Sequence, residues 1–224
     1  MFRSWRLANT GCIEGNALSS LGCVKYSSAY SLVLPFEGAN NSTVFTDYSS
    51  YGHTVGTNGL PVISTAQCAA GTSSLYLNGS SSLTIPYHAS IDFGTGDFRI
   101  DFWARYASAS GVQCFIATAV DGSPTNYLDV YYDGSNQLLR FRNLNSEVSI
   151  AHTPSTNTWY HYAFFRYSGV GYISIDNSVV ASASFSAVAS VNTALNIGKG
   201  RNGQTNYFNG YVDDFRILKG VYAA

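Results

Sequence analysis

Hydrolysis of a polysaccharide needs two carboxyl groups on one face, roughly 5–9 Å apart, one to protonate the leaving oxygen and one to activate water or attack. On a strand this means acidic residues at alternate positions. The 224-residue sequence holds no such close pair. Asp97 and Asp101 share a face, but four residues of strand hold them roughly 13 Å apart. Asp213 and Asp214 are adjacent, so on a regular strand their side chains leave opposite faces. There is no Gly-x-Ser-x-Gly elbow. His53, His88, His152 and His161 are scattered without metal-ligand spacing. The residues predict a non-catalytic domain. Binding chemistry is better represented. Sugars are held by exposed aromatic rings with Asn, Asp and Ser as hydrogen-bond partners, and two polar loops carry such residues, Asp121–Tyr127 and Gly198–Tyr207. Asn126, Tyr127, Arg201, Asn202 and Tyr207 are the candidate glycan-binding residues. For each tyrosine taken singly, the plainer reading is that it begins a strand.

The elements that must position these loops are short apolar runs separated by Gly, Asn, Asp, Ser and Pro, the spacing of strands and turns. Strands are expected over Ser31–Phe36, Ser74–Leu77, Ser82–Pro86, Asp97–Arg105, Gln113–Ala119, Tyr127–Tyr132, Leu138–Arg142, Glu147–Ile150, Trp159–Tyr167, Gly171–Asp176, Ser178–Ser184, Ala194–Ile197 and Tyr207–Leu218. Phe98, Ile100 and Phe102 alternate with Arg99, Asp101 and Trp103, the period of a half-buried strand. Asn78-Gly79, Asp133-Gly134 and Asp176-Asn177 supply residues that tolerate positive φ at turns. No segment shows a helical stripe. The fold expected is an all-β, two-sheet antiparallel sandwich. By strand parity Asp213 shares a face with Phe215 and Ile217. It is therefore expected to point inward, where a carboxylate needs a partner.

Residues 1–29 read differently from residues 30–224. They show neither helical nor strand periodicity, yet they carry Phe2, Trp5, Leu7, Ile13, Leu18 and Leu21, too many large apolar side chains for a solvated tail. The expectation is an extension that anchors the domain to a larger assembly.

Composition excludes several partners. Charged residues make up 11% of the chain and the net charge is −1, against an ordinary charged share of roughly 25%. No basic face offers itself to nucleic acid. No apolar run is long enough for membrane insertion. The N-terminus lacks the apolar stretch of a secretory signal, which predicts a chain made and folded in the cytosol. The four cysteines, Cys12, Cys23, Cys68 and Cys114, form no CxxC pair. They leave open two disulfides or four reduced thiols.

Four stretches, in this order and spacing, carry a family resemblance. They are Leu32-Val33-Leu34-Pro35-Phe36-Glu37-Gly38 with the segment from Phe45 to Thr54; Gly71 to Gly79 running into Leu83-Thr84-Ile85-Pro86; Phe93 to Trp103; and Trp159-Tyr160-His161-Tyr162-Ala163 with Tyr207 to Ile217. Together they resemble a laminin G-like domain of the concanavalin A-like lectin/glucanase superfamily, of the kind found in bacteriophage virion proteins. The resemblance implies a jelly-roll sandwich over about residues 30–221. It also implies a structural calcium ion near the first and last strands, where Glu37 and Asp213 are the matching positions. Glu37 stands where the family more often has Asp. The alternative is a hydrogen-bonded carboxylate, or a bridge from Asp213 to Arg216 or Lys219. The function implied is a virion structural protein, such as a capsid decoration, head-fibre or tail component, assembled in the host cytoplasm. Its partners would be other virion proteins or copies of itself, and its lectin-like domain would contact host-surface glycans. The competing expectation is a glycan-binding module or adhesin at an extracellular surface.

Overall fold

The computed structural model describes residues 30–118, 127–188, 192–200 and 206–220. The expected anchor at 1–29, Cys12, Cys23, Asn126, Arg201 and Asn202 lie outside these residues. The described chain is all β, with one 3-10 turn at Ala89–Ile91. Its strands are β1 (Tyr30–Leu34), β2 (Gly56–Asn58), β3 (Val62–Ser64), β4 (Ser74–Asn78), β5 (Ser82–Ile85), β6 (Phe98–Tyr106), β7 (Val112–Thr118) and β8 (Leu128–Asp133). They continue with β9 (Leu138–Asn143), β10 (Glu147–Ala151), β11 (Trp159–Tyr167), β12 (Val170–Ile175), β13 (Ser178–Ser184), β14 (Leu195–Ile197) and β15 (Asn209–Lys219).

They form two antiparallel sheets that make a sandwich. The eight-stranded sheet runs β13-β12-β11-β6-β15-β4-β3, with β1 also paired to β15. The seven-stranded sheet runs β10-β9-β8-β7-β14-β5-β2. The core is built by the alternation visible in the sequence. Phe98, Ile100, Phe102, Ala104 and Tyr106 all point inward from β6. Phe102 sits at the centre, its ring 5.2 Å from Phe115, 6.0 Å from Phe164 and 5.6 Å from Phe215. Truncating such a ring to alanine costs about 3–5 kcal/mol. Two buried phenols share one hydrogen bond, Tyr106 to Tyr162 at 3.1 Å, and the imidazole of His152 reaches the same Tyr162 hydroxyl at 2.7 Å. Burial pushes both phenols well above the ordinary tyrosine range, so they act as neutral partners.

The structure adds two strands that the sequence pattern hides. β2 and β3 are three residues each, around Gly59 and Pro61, too short to show a period. The turn at Asp176-Asn177 has the expected positive φ at both residues, 49° and 66°. Gly134 has no such angle. It is needed instead because a Cβ there would stand 2.5 Å from the carbonyl of Ala109.

The expected inward direction of Asp213 is corrected by a β-bulge. Asp213 pairs with Trp103 and Arg216 with Asp101, so Asp214 and Phe215 together oppose the single residue Phe102. Asp214 takes a φ of 46° to make this possible. The extra residue reverses the parity of β15. Val212, Phe215 and Ile217 face the core, while Asp213 falls on the Trp103 side of the sheet. Asp213 is buried nonetheless, because the segment between β3 and β4 lies over it.

Candidate functional site

The outer face of the seven-stranded sheet carries a concavity. β8 alternates Asp129, Tyr131 and Asp133 outward with Leu128, Val130 and Tyr132 inward. Cross-strand partners complete the surface. Cys114 faces Tyr131 from β7, and Arg140 and Arg142 face Tyr131 and Asp129 from β9. A cavity of about 180 Å³ opens there, lined by Val112, Cys114, Asp129, Tyr131, Arg142 and Asn206, with Asp133 at its margin.

Charge on this face is distributed in pairs. Arg142 meets Asp129 at 3.2 Å, and its guanidinium lies 4.8 Å from the Tyr131 ring and 5.5 Å from the Tyr127 ring. Burial opposes the charge of Arg142, but Tyr131 and Asp129 beside it hold its pKa above the ordinary value. Arg140 bridges Asp133, at 3.6 Å, and Glu147. The Asn136 amide donates to Asp133 at 2.7 Å, and this bond, with backbone donors and Arg140, lowers the Asp133 pKa. Asp129 and Asp133 are four strand residues apart, roughly 13 Å, and each is matched to a guanidinium. This is a surface for positioning hydroxyls rather than a close acid–base pair.

Of the two loops singled out in the sequence, the described residues include Tyr127, Asn206 and Tyr207. Tyr127 directly precedes β8 and is buried beneath Arg142, so it forms a wall rather than an exposed platform. Tyr207 forms an isolated bridge to Lys199, whose ammonium lies 5.7 Å from its ring. Neighbouring Asn206 lines the cavity at the end where β7 begins. Tyr131 and Arg142, the residues closest to the centre of the trough, were not among the sequence candidates. Their signal is alternation within β8 and β9, which looks like any half-exposed strand until the register sets them side by side.

Glu37 and Asp213 flank the segment between β3 and β4. The backbone N–H groups of Ala69 and Ala70 donate to one Asp213 oxygen at 2.8 and 2.9 Å, and that of Asp214 donates to the other at 2.8 Å. Burial pushes the Asp213 carboxyl up to about 7, against the pull of these donors. Glu37 accepts from the Thr72 backbone at 3.0 Å and from the Thr72 hydroxyl at 2.7 Å. The carboxylate oxygens therefore face donors, the arrangement of the hydrogen-bonded alternative. A calcium ion needs six to eight oxygen ligands and would have to displace several of these bonds. Among the described residues no group of three or more His, Cys, Asp and Glu side chains is placed to hold a metal. Cys68 is exposed and Cys114 buried, both as free thiols.

Two of the scattered histidines are brought together. The His53 imidazole lies 2.9 Å from the Ser90 hydroxyl and 3.1 Å from the Ser31 carbonyl. Nδ1 of His88 lies 2.9 Å from the same hydroxyl and accepts the Ser90 N–H at 3.2 Å. The Ser90 N–H at Nδ1 of His88 and the Ser31 carbonyl at Nε2 of His53 make this a hydrogen-bonded clasp between the start of β1 and the chain after β5. His161 is a packed histidine, 7% exposed, with its ring 5.0 Å from Trp103 and its Nε2 3.7 Å from Asp101.

A family model described as the concanavalin A-like lectin/glucanases superfamily matches residues 77–223, the greater part of the chain. No curated protein matches the sequence significantly. Among solved structures, domain 4 of AbnA, a GH43 extracellular arabinanase from Geobacillus stearothermophilus in complex with arabinotriose, superposes with a TM-score of 0.58 at 19% identity, covering 75% of this chain and 82% of that one. The binding domain of botulinum neurotoxin DC in complex with SialylT gives 0.60 at 15% identity, covering 87% and 48%. The botulinum neurotoxin serotype D binding domain gives 0.64 at 14%, covering 88% and 49%. The chain thus spans about half the length of the toxin binding domains, and at these identities the likeness is one of fold. The chain belongs to the concanavalin A-like lectin/glucanases superfamily.

Proposed function

We propose that the chain is a carbohydrate-binding, lectin-like domain without hydrolytic activity, and that its glycan site is the trough on the outer face of the seven-stranded sheet. One observation carries this reading. A cavity opens along β8 where an aromatic ring, two carboxylates and a guanidinium stand at strand spacing, with Asn206 at one end. Tyr131, as buried as Tyr127 and covered by the Arg142 guanidinium at 4.8 Å, shapes the trough and holds Arg142 rather than offering an open ring face. Asp129, Asp133 and Asn206 accept or donate to the hydroxyls of a sugar, and Arg142 holds both Tyr131 and Asp129 in place. Two structures of similar fold, in complex with arabinotriose and with SialylT, agree with a sugar ligand. The finer reading places this domain on a virus particle, as a decoration, fibre or tail component whose partners are other virion proteins or further copies. The low charge of the surface supports that context, and neighbouring genes for capsid or tail proteins would support it further. The binding reading is tested with a glycan array followed by calorimetry on the full chain. Binding that Tyr131→Ala weakens supports it, and no binding to any glycan sinks it. Steady release of reducing sugar, abolished by Asp129→Asn, would overturn the non-catalytic part.

A further inference from the structure

Glycan binding at the trough uses neither the outer face of the eight-stranded sheet nor its edges. On that face the register sets Trp159, Arg105, Tyr211 and Tyr76 in one row across β11, β6, β15 and β4. The Trp159 and Tyr211 rings are 6.4 Å apart, Tyr211 and Tyr76 5.0 Å, and the Arg105 guanidinium lies 5.7 Å from Tyr211. Each of these side chains has another of the row beside it. One edge of the same sheet has no described strand beside it.

The strands that end the two sheets are β1, β3 and β13 in the first and β2 and β10 in the second. An open edge presents a row of unpaired N–H and C=O groups to any other strand, and proteins blunt such edges with short strands, charges or covering loops. Four of the five are blunted here. Along β1, Tyr48 donates its N–H to the Val33 carbonyl and Asp47 accepts the Val33 N–H. Along β3, Asn41 donates to the Ile63 carbonyl and Ile63 to the Ser42 carbonyl, each at 2.8 Å. β2 is only three residues long. β10 opens on the charged Glu147. β13 is different. It runs for seven residues, Ser178–Ser184, with neither a charge nor a proline.

The register says which backbone groups of β13 are free. Phe185 donates its N–H to the Gly169 carbonyl at 2.8 Å, which fixes that pair as hydrogen-bonded. Antiparallel pairs alternate. Gly171–Ala183 and Ile173–Ala181 are therefore bonded, while Val170–Ser184 and Tyr172–Ser182 are not. The N–H and C=O groups of Ser182 and Ser184 point away from β12, to the side where no described strand lies. The irregularity in this ladder falls nearer the turn, between Ile173 and Ser174, and leaves Ala181–Ser184 regular. Six of the seven side chains are exposed, Val179 at 49% and Val180 at 38% among them, so the strand is open to a neighbour on both faces. We propose that β13 pairs antiparallel with β13 of a second copy of this chain. A two-fold axis near Ser182 sets serine, alanine and valine against serine, alanine and valine, so no like charges oppose one another. The two eight-stranded sheets become one continuous sheet. Each copy spends its one long open edge among the described residues, so the association is isologous and closes at two.

The test is sedimentation equilibrium of the full chain across a range of concentrations, where a monomer–dimer equilibrium is expected. The Ser182 N–H makes no bond to β12, so Ser182→Pro takes nothing from the fold of one copy. It is expected to weaken the dimer at least roughly tenfold at unchanged far-ultraviolet dichroism. Ser182→Lys keeps the N–H but sets two cations across the axis. It is expected to weaken the dimer roughly fivefold, less so in high salt, and it reads the same contact if the proline variant does not fold. A chain that stays monomeric at every concentration overturns the proposal. So does a dimer that the substitutions at Ser182 leave intact. Growth beyond two copies also overturns it, since closed pairing leaves no long edge to extend.

Discussion

The two outer faces are built from the same strand alternation but handle charge in opposite ways. On the seven-stranded sheet each carboxylate is matched to a guanidinium one strand away, Asp129 to Arg142 and Asp133 to Arg140. A cavity opens beside these pairs. On the eight-stranded sheet one carboxylate, Asp101, gathers Arg99, Arg216 and His161, with Arg99 at the exposed edge of the cluster. A partly exposed pair such as Arg140 with Glu147 is worth little. A buried carboxylate shared by several cations is intolerant of loss, because the charge left behind cannot be hydrated. The two faces differ in how many partners depend on one carboxylate.

Breaking the cluster around Asp101 is expected to give the largest effect. Asp101→Asn leaves Arg216 buried without its main counter-charge and should cost about 3–5 kcal/mol in urea unfolding at neutral pH. The same cluster sets a pH dependence. Burial alone would raise the Asp101 pKa, but Arg216, His161 and Arg99 more than offset it and hold the carboxyl well below its ordinary value. In the unfolded chain the group titrates near 3.8. Its contribution is therefore complete above about pH 4 and is lost as pH falls through the lower folded value. Asp214 is pushed upward by burial and works in the opposite sense. The difference between wild type and Asp101→Asn isolates Asp101, and it should shrink below about pH 3. A difference that is flat with pH would contradict the assignment.

The next effect is expected on binding, and it separates the faces. Tyr131→Ala should weaken glycan affinity roughly tenfold in calorimetry, through loss of the ring that holds Arg142 in the trough, while Trp159→Ala should leave it unchanged. The reverse outcome would move the glycan site to the eight-stranded sheet. A smaller effect is expected for Glu147→Ala. It removes a partly exposed partner of Arg140 and should cost less than about 1 kcal/mol in the same unfolding assay. A loss as large as that of Asp101→Asn would erase the distinction between the faces. The smallest effect is expected for calcium. With Glu37 and Asp213 engaged by backbone donors, adding calcium or a chelator should shift the melting temperature by less than about one degree. A clear rise with calcium would give these carboxylates a metal.

The strand pattern was legible because alternation and turn chemistry are local. Phe98, Ile100 and Phe102 declare their face without reference to any other strand, and Asp176-Asn177 declares its turn. β2 and β3 were not legible, since three residues beside Gly59 and Pro61 carry no period. The Asp213 side chain was assigned to the wrong face, because parity counting assumes a regular strand. The bulge at Asp214 follows from how β15 must meet β6, not from β15 alone. Of the glycan candidates, Tyr127 and Tyr207 were found at the borders of the trough, but Tyr131 and Arg142 at its centre were not.

By itself the sequence determined the all-β class, the sandwich, the family resemblance and the absence of a close carboxylate pair on one strand. Each of these depends on residues near one another in the chain. Only the tertiary structure decided what distant residues do together: His53 and His88 around one serine hydroxyl, Trp159, Tyr211 and Tyr76 in one row, Tyr131 and Arg142 in one cavity. The physical reason is register. Strands stand about 4.8 Å apart whatever their separation in sequence, so a surface is assembled across strands, and its chemistry exists only once the pairing is fixed.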